Sequence, residues 1–423
     1  MKNKGAFVLL FSANSISGVA QGICMIAIPW HLTSTLNMPT LFGTLYASLT
    51  FMALFWGLLV GTLVDKYNRK NIFLAISTLG GGALLSIACL GFFNDGLHYI
   101  YAIVVFALTY FIYSVHYPTL YAFAQEISEP KNYGRITSYI EIQGQVTNMF
   151  GGACAAILLT GVSSGSKEVM GYVLEMPFSI EKWELHQIFL LDGITYVIAV
   201  LLITCIKYER IADFDRDAGS ILERIKFGFS YLKNNRVIFI FGVASFTVFV
   251  SVLVLSFYLA PIYITRHLHA GAGTYATADM FFALGAVLAG AGINWVFRRL
   301  NSVQVILLLS TMTAGIYVLC MYNTNVIVFY ALMLLIGLSN AGIRITRITY
   351  LLQRIPNAVI GRAASVFGMA NVLMRVTLIS LFAIPVFVES NNIIYTFLIL
   401  GVFILAFNVP LVLYYKAIEK GQH

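Results

Sequence analysis

Gly61-Thr62-Leu63-Val64-Asp65-Lys66-Tyr67-Asn68-Arg69-Lys70 is a short charged turn between two long apolar runs, residues 40–64 and 72–93. Each run is long enough to cross a bilayer as a helix. A turn this short makes the two helices antiparallel. Gly61 removes a side chain where the pair must approach closely. Asp65 is suited to cap a helix N-terminus, and Lys66, Arg69 and Lys70 place positive charge on one side of the membrane. The stretch therefore sets both local packing and orientation.

The rest of the chain has the same character. Hydrophobic residues make up 59% of the 423 residues and charged residues 10%, against about 25% charged in soluble domains. This composition predicts one all-α polytopic bundle. Twelve apolar segments can be marked, at 6–31, 40–64, 72–93, 98–122, 136–162, 187–206, 237–262, 273–296, 302–321, 325–346, 363–387 and 392–415. An even number places both termini on one side. Of the 26 Lys and Arg residues, three fall in outside loops (Lys167, Lys182 and Arg266) and one within a span (Arg375). The others gather at the termini and in the loops near 66–70, 131–135, 207–236, 298–299 and 344–362. This asymmetry predicts a multi-pass membrane protein with both termini cytoplasmic. The net charge of +8 is thus a topology signal and not a nucleic-acid footprint, because the cations form no basic face.

Several function classes are disfavoured. The cysteines at 24, 89, 154, 205 and 320 lie in apolar segments without metal or disulfide spacing, so neither a metal nor another cofactor is expected. There is no phosphate-binding loop for ATP and no HExxH. Gly161-Val162-Ser163-Ser164-Gly165 has the letters of a nucleophile elbow, but it follows a span with no strand before it and reads as a flexible turn. The N-terminal apolar run reads as an uncleaved first helix. The outside loop 163–186 has mixed charge and room for a short amphipathic piece. In the loop 207–236, Ile221 to Phe229 mixes apolar and charged residues at helical spacing, as in a helix lying on the membrane surface between two halves.

An internal repeat supports those halves. Gly134, Arg135 and Ser138 recur as Gly361, Arg362 and Ser365 at an offset of 227. Gly61, Arg69 and Lys70 have a worn counterpart in Gly290, Arg298 and Arg299 at an offset of 229, where the acid is missing. Two parallel six-span units follow, residues 1–206 and 237–423, joined by 207–236. Such a pair is a transporter architecture with its binding site between the halves.

The 61–70 loop resembles the signature loop of the major facilitator superfamily. His116-Tyr117-Pro118, the 130–138 loop, Phe189 to Tyr196, Gly228 to Leu232 and Leu352 to Arg362 resemble its macrolide-efflux and enterobactin-exporter branch. The resemblance implies a twelve-helix secondary transporter, a monomer, exporting amphipathic drugs or a siderophore as an antiporter against protons. An importer, a metal or metabolite exporter and, remotely, a membrane enzyme or lipid-handling protein are the alternatives. The chain departs from the branch in two places. Gly151-Gly152 has no following proline, and Val19, not an acid, follows Gly18.

Ionisable groups at membrane depth cost at least about 2.5–3.5 kcal/mol each, so each asks for a reason. Asp279, Arg375, Asp192 and Glu141 are the candidates for proton coupling. Asp279 and Arg375 fall at similar depth, on spans that line the interface between halves in the resembled fold, and could form a pair that a proton breaks or a permanent structural pair. Asp192 could carry a proton or hydrogen-bond near the outer interface. Glu141 could gate the cytoplasmic side or cap its helix. The resemblance gives Gly61, Asp65, Arg69 and Lys70 a gating role, with Gly134, Arg135, Gly361 and Arg362 in the related loops. Asn14, Gln21, Gln145, Asn148, Asn340 and Arg344 are cavity candidates, or bridges between helices. Arg344 and Arg347 also serve as orientation signals. His116 reads more readily as packing at a helix end than as a proton site.

Overall fold

The apolar runs form helices whose ends lie close to the marked segments. The computed structural model describes residues 4–127, 133–162, 165–169, 172–176, 179–207, 221–296 and 299–420. In chain order the helices are α1 (Lys4–Trp30), α2 (Pro39–Lys66), α3 (Arg69–Phe93), α4 (Tyr99–Glu126), α5 (Tyr133–Thr160), α6 (Leu185–Thr204), α7 (Ile221–Asn234), α8 (Arg236–Val254), α9 (Ala260–Arg266), α10 (Ala272–Val296), α11 (Ser302–Tyr322), α12 (Val326–Arg354), α13 (Asn357–Phe382), α14 (Pro385–Val388), α15 (Ile393–Leu413) and α16 (Tyr415–Lys420). Among the described residues, eleven spans are long and apolar enough to cross a membrane, with α8 and α9 forming one of them. The 28-residue α5 is long enough but less apolar, because Gln143, Gln145, Thr147 and Asn148 interrupt it.

Residues form two compact units. One comprises Met1–Asn37, Leu59–Ile211 and Ala270–Met280, and the other Met38–Leu58, Ala212–His269 and Phe281–His423. In the first, α3 runs along α6, and α1 lies against α5 and α6. Glycines permit the close approach of α3 and α6: a Cβ at Gly81 would sit 2.7 Å from Tyr196 Cβ, and one at Gly193 2.7 Å from Leu85 Cγ. Leu10, Ala13, Phe73, Phe123, Ile140 and Ile203 close the core between these helices. In the second unit, α11 runs along α15, and α8 lies against α12, α13 and α15. The neighbour pattern of one unit recurs in the other. Hydroxyls bridge the helices of the second unit: Tyr317 Oη donates to Ser251 Oγ at 3.0 Å, and Ser310 Oγ to Asn408 Oδ1 at 3.0 Å. Such bonds replace the hydrophobic drive that lipid does not supply.

The structure departs from the sequence expectations in four places. Asn68, not Asp65, caps the helix after the signature turn: its side chain accepts from the amides of Lys70 and Asn71 at 2.9 and 3.3 Å. Asp65 falls in the last turn of α2, and its side chain lies outside the described residues. The loop 163–186, expected to hold a short amphipathic piece, contains an antiparallel hairpin, Gly165–Val169 with Tyr172–Met176. Val169, Tyr172 and Val173 favour extended backbone there. The expected inside loop from 344 remains helical to Arg354, so Arg344 and Arg347 stand within α12. Finally, α1 passes into a π-helical turn at His31–Thr35 and α8 into one at Leu255–Leu259.

The amphipathic α7 docks on α13. A Cβ at Gly228 would overlap the Arg362 carbonyl oxygen, and the Arg362 guanidinium lies 4.7 Å from the centre of the Phe227 ring. Phe227 and Phe229 remain exposed, as suits a helix lying at the lipid surface.

Candidate functional site

Two polar arrangements stand out in the first unit. The first ties helix ends together. Arg69, at the start of α3, forms an ion pair with Glu126 at the end of α4, with 13% and 11% of the two side chains exposed. Lys70 Nζ donates to the carbonyls of Thr204 at 2.9 Å and Ile206 at 2.7 Å. A cation at the C-terminal end of α6 satisfies carbonyls that the helix leaves unpaired and meets the negative end of its dipole. The signature turn thus clamps α3, α4 and α6 at one end. Lys70→Met is expected to cost about 1–2 kcal/mol, read as a lower unfolding temperature of the solubilised protein, with Lys70→Arg retaining most of the stability.

The second arrangement lies within the helices. Asn14, Ser17 and Gln21 occupy one face of α1 at helical spacing. They line a small cavity with Phe73 and Ser77 of α3, His116 of α4 and Tyr196 of α6. Its volume of about 10 Å³ is room for roughly one water molecule. His116 Nε2 meets Asn14 Oδ1 at 2.7 Å, and the Phe73 ring stands edge-on to the imidazole at 4.8 Å. Gln143 Nε2 of α5 donates to the Phe11 carbonyl at 2.8 Å and to Ser15 Oγ at 2.5 Å, holding α5 against α1.

Asp192 lies one turn before Tyr196 on α6 and is 0% exposed. Neither carboxyl oxygen has a hydrogen-bond partner among the described residues. Cys24 and Thr195 are its polar neighbours, but the Thr195 hydroxyl donates to the Asp192 main-chain carbonyl at 2.7 Å.

The other candidates are more dispersed. Asp279, in α10, is half-buried and belongs to the first unit, whereas Arg375, in α13, is half-buried and belongs to the second. Glu141, Gly134 and Arg135 have side-chain positions outside the described residues. Gln145 is half-buried and Asn148 exposed on α5; Asn340 and Arg344 are half-buried on α12. Gly361 is exposed, with nothing within 4 Å of a Cβ built on it. Arg347, which the sequence offered as an orientation signal, is 5% exposed. It donates to the Ser245 carbonyl at 3.0 Å, and its guanidinium lies 3.7 Å from the Phe246 ring centre, locking α12 to α8. Sequence reasoning missed Glu126 altogether and set His116 aside as packing. The signal for Glu126 was an acid at the end of a span, at the same membrane side as Arg69.

A family model described as Major Facilitator Superfamily matches residues 10–379. No curated sequence matches the chain significantly. Among solved structures, the chain is similar to the nucleoside transporter NupG, at 13% identity and a TM-score of 0.70, covering 97% of this chain and 99% of that one. It is similar to an autoinhibited POT family peptide transporter, at 12% identity and a TM-score of 0.70, over 97% of this chain and 96% of that one. A bacterial homologue of the iron transporter ferroportin aligns at 13% identity and a TM-score of 0.66, over 95% and 98% of the respective chains. At these identities the likeness is one of fold.

Proposed function

Because the chain belongs to the major facilitator superfamily and has its multi-pass transporter fold, we propose that it is a proton-coupled secondary exporter of amphipathic small molecules, drugs or a siderophore. It works by alternating access, as a monomer in a bacterial cytoplasmic membrane with both termini inside. The family match over residues 10–379 carries the transport reading. The direction rests on the branch motifs around His116, the 130–138 loop and Gly361-Arg362. The clamp of Arg69 on Glu126 and of Lys70 on the end of α6 supports a gating role for the signature turn, since a charged latch at helix ends is an element that rocking halves can make and break.

Proton coupling requires an acid at membrane depth whose charge state biases one access state over the other. Asp279 and Arg375 serve this reading as the acid and the cation at membrane depth: protonation of the acid removes a charge there and shifts the balance between access states. Asp279→Asn is expected to abolish proton-driven movement while leaving substrate binding measurable. The test uses everted vesicles from expressing cells, with a panel of amphipathic dyes of positive, negative and zero charge. Gradient-driven uptake that is unchanged in Asp279→Asn removes this residue from the coupling step.

A further inference from the structure

We infer that the second unit binds the anionic head of the solute, through Arg347 and Arg344 of α12. This names the charge of the substrate in the export reading above and rests on that reading for its transport meaning. The geometry comes from one unit only. The long helices of that unit carry cations and no acids. Between them, α8, α12 and α13 hold Arg236, Arg344, Arg347, Arg354, Arg362 and Arg375. Neither these helices nor α11 and α15 contain an Asp or a Glu. Any acid that meets these cations therefore comes from outside the helices that carry them.

Arg347 is the buried one among these arginines, at 5% exposure. A buried charge without a partner of opposite sign is costly, and within a membrane span it asks for a reason. Among the described residues, two groups answer its charge. The Ser245 carbonyl accepts from Nη1 at 3.0 Å, and the Phe246 ring centre lies 3.7 Å from the guanidinium. Both groups are neutral. Its charged neighbour is Arg344, one turn earlier on the same helix, and the two cations repel. Holding α12 against α8 accounts for the carbonyl and the ring. It does not account for a second cation beside the first.

An anion accounts for both. Ser245 takes one N–H of Arg347, and the guanidinium has further donors. They are set in a rigid fork that matches a carboxylate, sulfonate or phosphate. Phe246 fixes the position of that fork, being held in turn by Phe367 of α13 with ring centres 6.2 Å apart. Asn340, Arg344 and Arg347 follow one another at helical spacing on one face of α12. Asn340 and Arg344 are half-buried, so the stripe runs from an enclosed cation to more accessible donors. With an aromatic ring beside the cation, an anion joined to an apolar body suits the place better than a small hydrated ion. An acidic phospholipid headgroup has the same charge chemistry as such a solute, and the test separates the two.

The experiment measures equilibrium binding of naphthoate and of its uncharged counterpart naphthamide to the full-length protein in phosphatidylcholine nanodiscs, by saturation-transfer NMR against empty nanodiscs and without a pH gradient. Naphthoate should bind about tenfold more tightly than the amide or better, the worth of one charge-assisted hydrogen bond. Arg347→Met should bring the two affinities together, Arg344→Met should narrow the gap, and Arg236→Gln should leave it unchanged. Should Arg347→Met not fold, Arg347→Lys keeps the charge without the fork, and its affinity for naphthoate must fall while that for the amide holds. Equal affinities in the unaltered protein overturn the inference. So does a lowered unfolding temperature in both Arg347 variants with the naphthoate preference intact, which is the signature of a purely structural lock. Dihexanoyl phosphatidylglycerol that displaces naphthoate at concentrations below naphthoate's own Kd makes a lipid headgroup the occupant and overturns the assignment to a solute. Arg347-dependent naphthoate binding in a protein that moves no dye on a proton gradient contradicts the export reading and leaves the site standing. Gradient-driven movement of cationic dyes alone, with no preference for naphthoate, overturns the site and leaves export standing.

Discussion

Gly337→Leu is expected to yield no monodisperse folded protein, and Gly337→Ala to destabilise it by about 1–3 kcal/mol or more. Gly337 of α12 faces Phe282 of α10, and Gly285 of α10 faces Leu334 of α12. A Cβ on either glycine would overlap the main-chain carbonyl oxygen opposite. The contact is backbone against backbone, so no side-chain rotation relieves it. The reciprocal pair is the small-residue packing by which membrane helices approach most closely. Gly285→Ala should cost a similar amount, and the double variant should not regain stability. Gly315 on α11 meets nothing within 4 Å of a built Cβ. Gly315→Ala should therefore be neutral or stabilising by up to about 1 kcal/mol, through helix propensity alone. Thermal unfolding of the purified, solubilised variants checks both. Equal midpoints for Gly337→Ala and Gly315→Ala would show that α10 and α12 do not approach as described.

The second large effect belongs to the ion pair of the signature turn. Removing one partner of a buried pair costs about 3–5 kcal/mol, because the other charge is left without compensation. Arg69 and Glu126 are mostly but not wholly buried, at 13% and 11% exposure, which places the expected cost of Arg69→Ala near the lower end, about 3 kcal/mol. Glu126→Ala should cost less, since Arg69 stands at a helix start with longer reach to water. The double replacement should cost less than the sum of the two single ones, and that non-additivity is the signature of a direct pair. Additive losses would mean that the two side chains act separately. The same variants should slow transport, because a weakened latch changes the balance between access states.

Most of the fold was legible in the sequence because a bilayer leaves a strong mark. A span must be apolar for about 20 residues, so runs such as 302–321 and 392–415 foretold α11 (Ser302–Tyr322) and α15 (Ile393–Leu413) to within a few residues. The misses occur where that rule stops acting. At the C-terminal end of α12, charged and apolar residues alternate at helical spacing, so the helix continues past the apolar stretch to Arg354. In the loop 163–186 no lipid constraint operates, and local β propensity with strand pairing forms the hairpin. The signature turn announced its charges but not their partners. Glu126 lies far along the chain from Arg69, and no periodic pattern reports such a meeting. Lys70 finds main-chain carbonyls, which leave no trace in side-chain chemistry.

The candidate site was legible in its parts and not in its assembly. Asn14 and Gln21 could be picked out as polar residues on one apolar helix, and Asp192 as an acid at membrane depth. That Asn14 would orient His116, and that Tyr196 would stand between the cavity and Asp192, depended on how four helices pack. His116 read as a packing residue because the sequence placed it near a helix end. The edge-on contact with Phe73 agrees with that reading, and the Asn14 bond adds a polar role to it. Asp279 and Arg375, matched by depth along the sequence, fall in different compact units, so their pairing belongs to the proposal on coupling.

The central claim is that proton flow drives movement of an amphipathic solute, and everted vesicles from expressing cells test it most directly. With respiration acidifying the vesicle lumen, at least one dye of the panel should accumulate beyond the level in vesicles lacking the protein, and a protonophore should return it to that level. Accumulation that survives collapse of the proton gradient, or dye levels identical with and without the protein across the whole panel, would contradict the account.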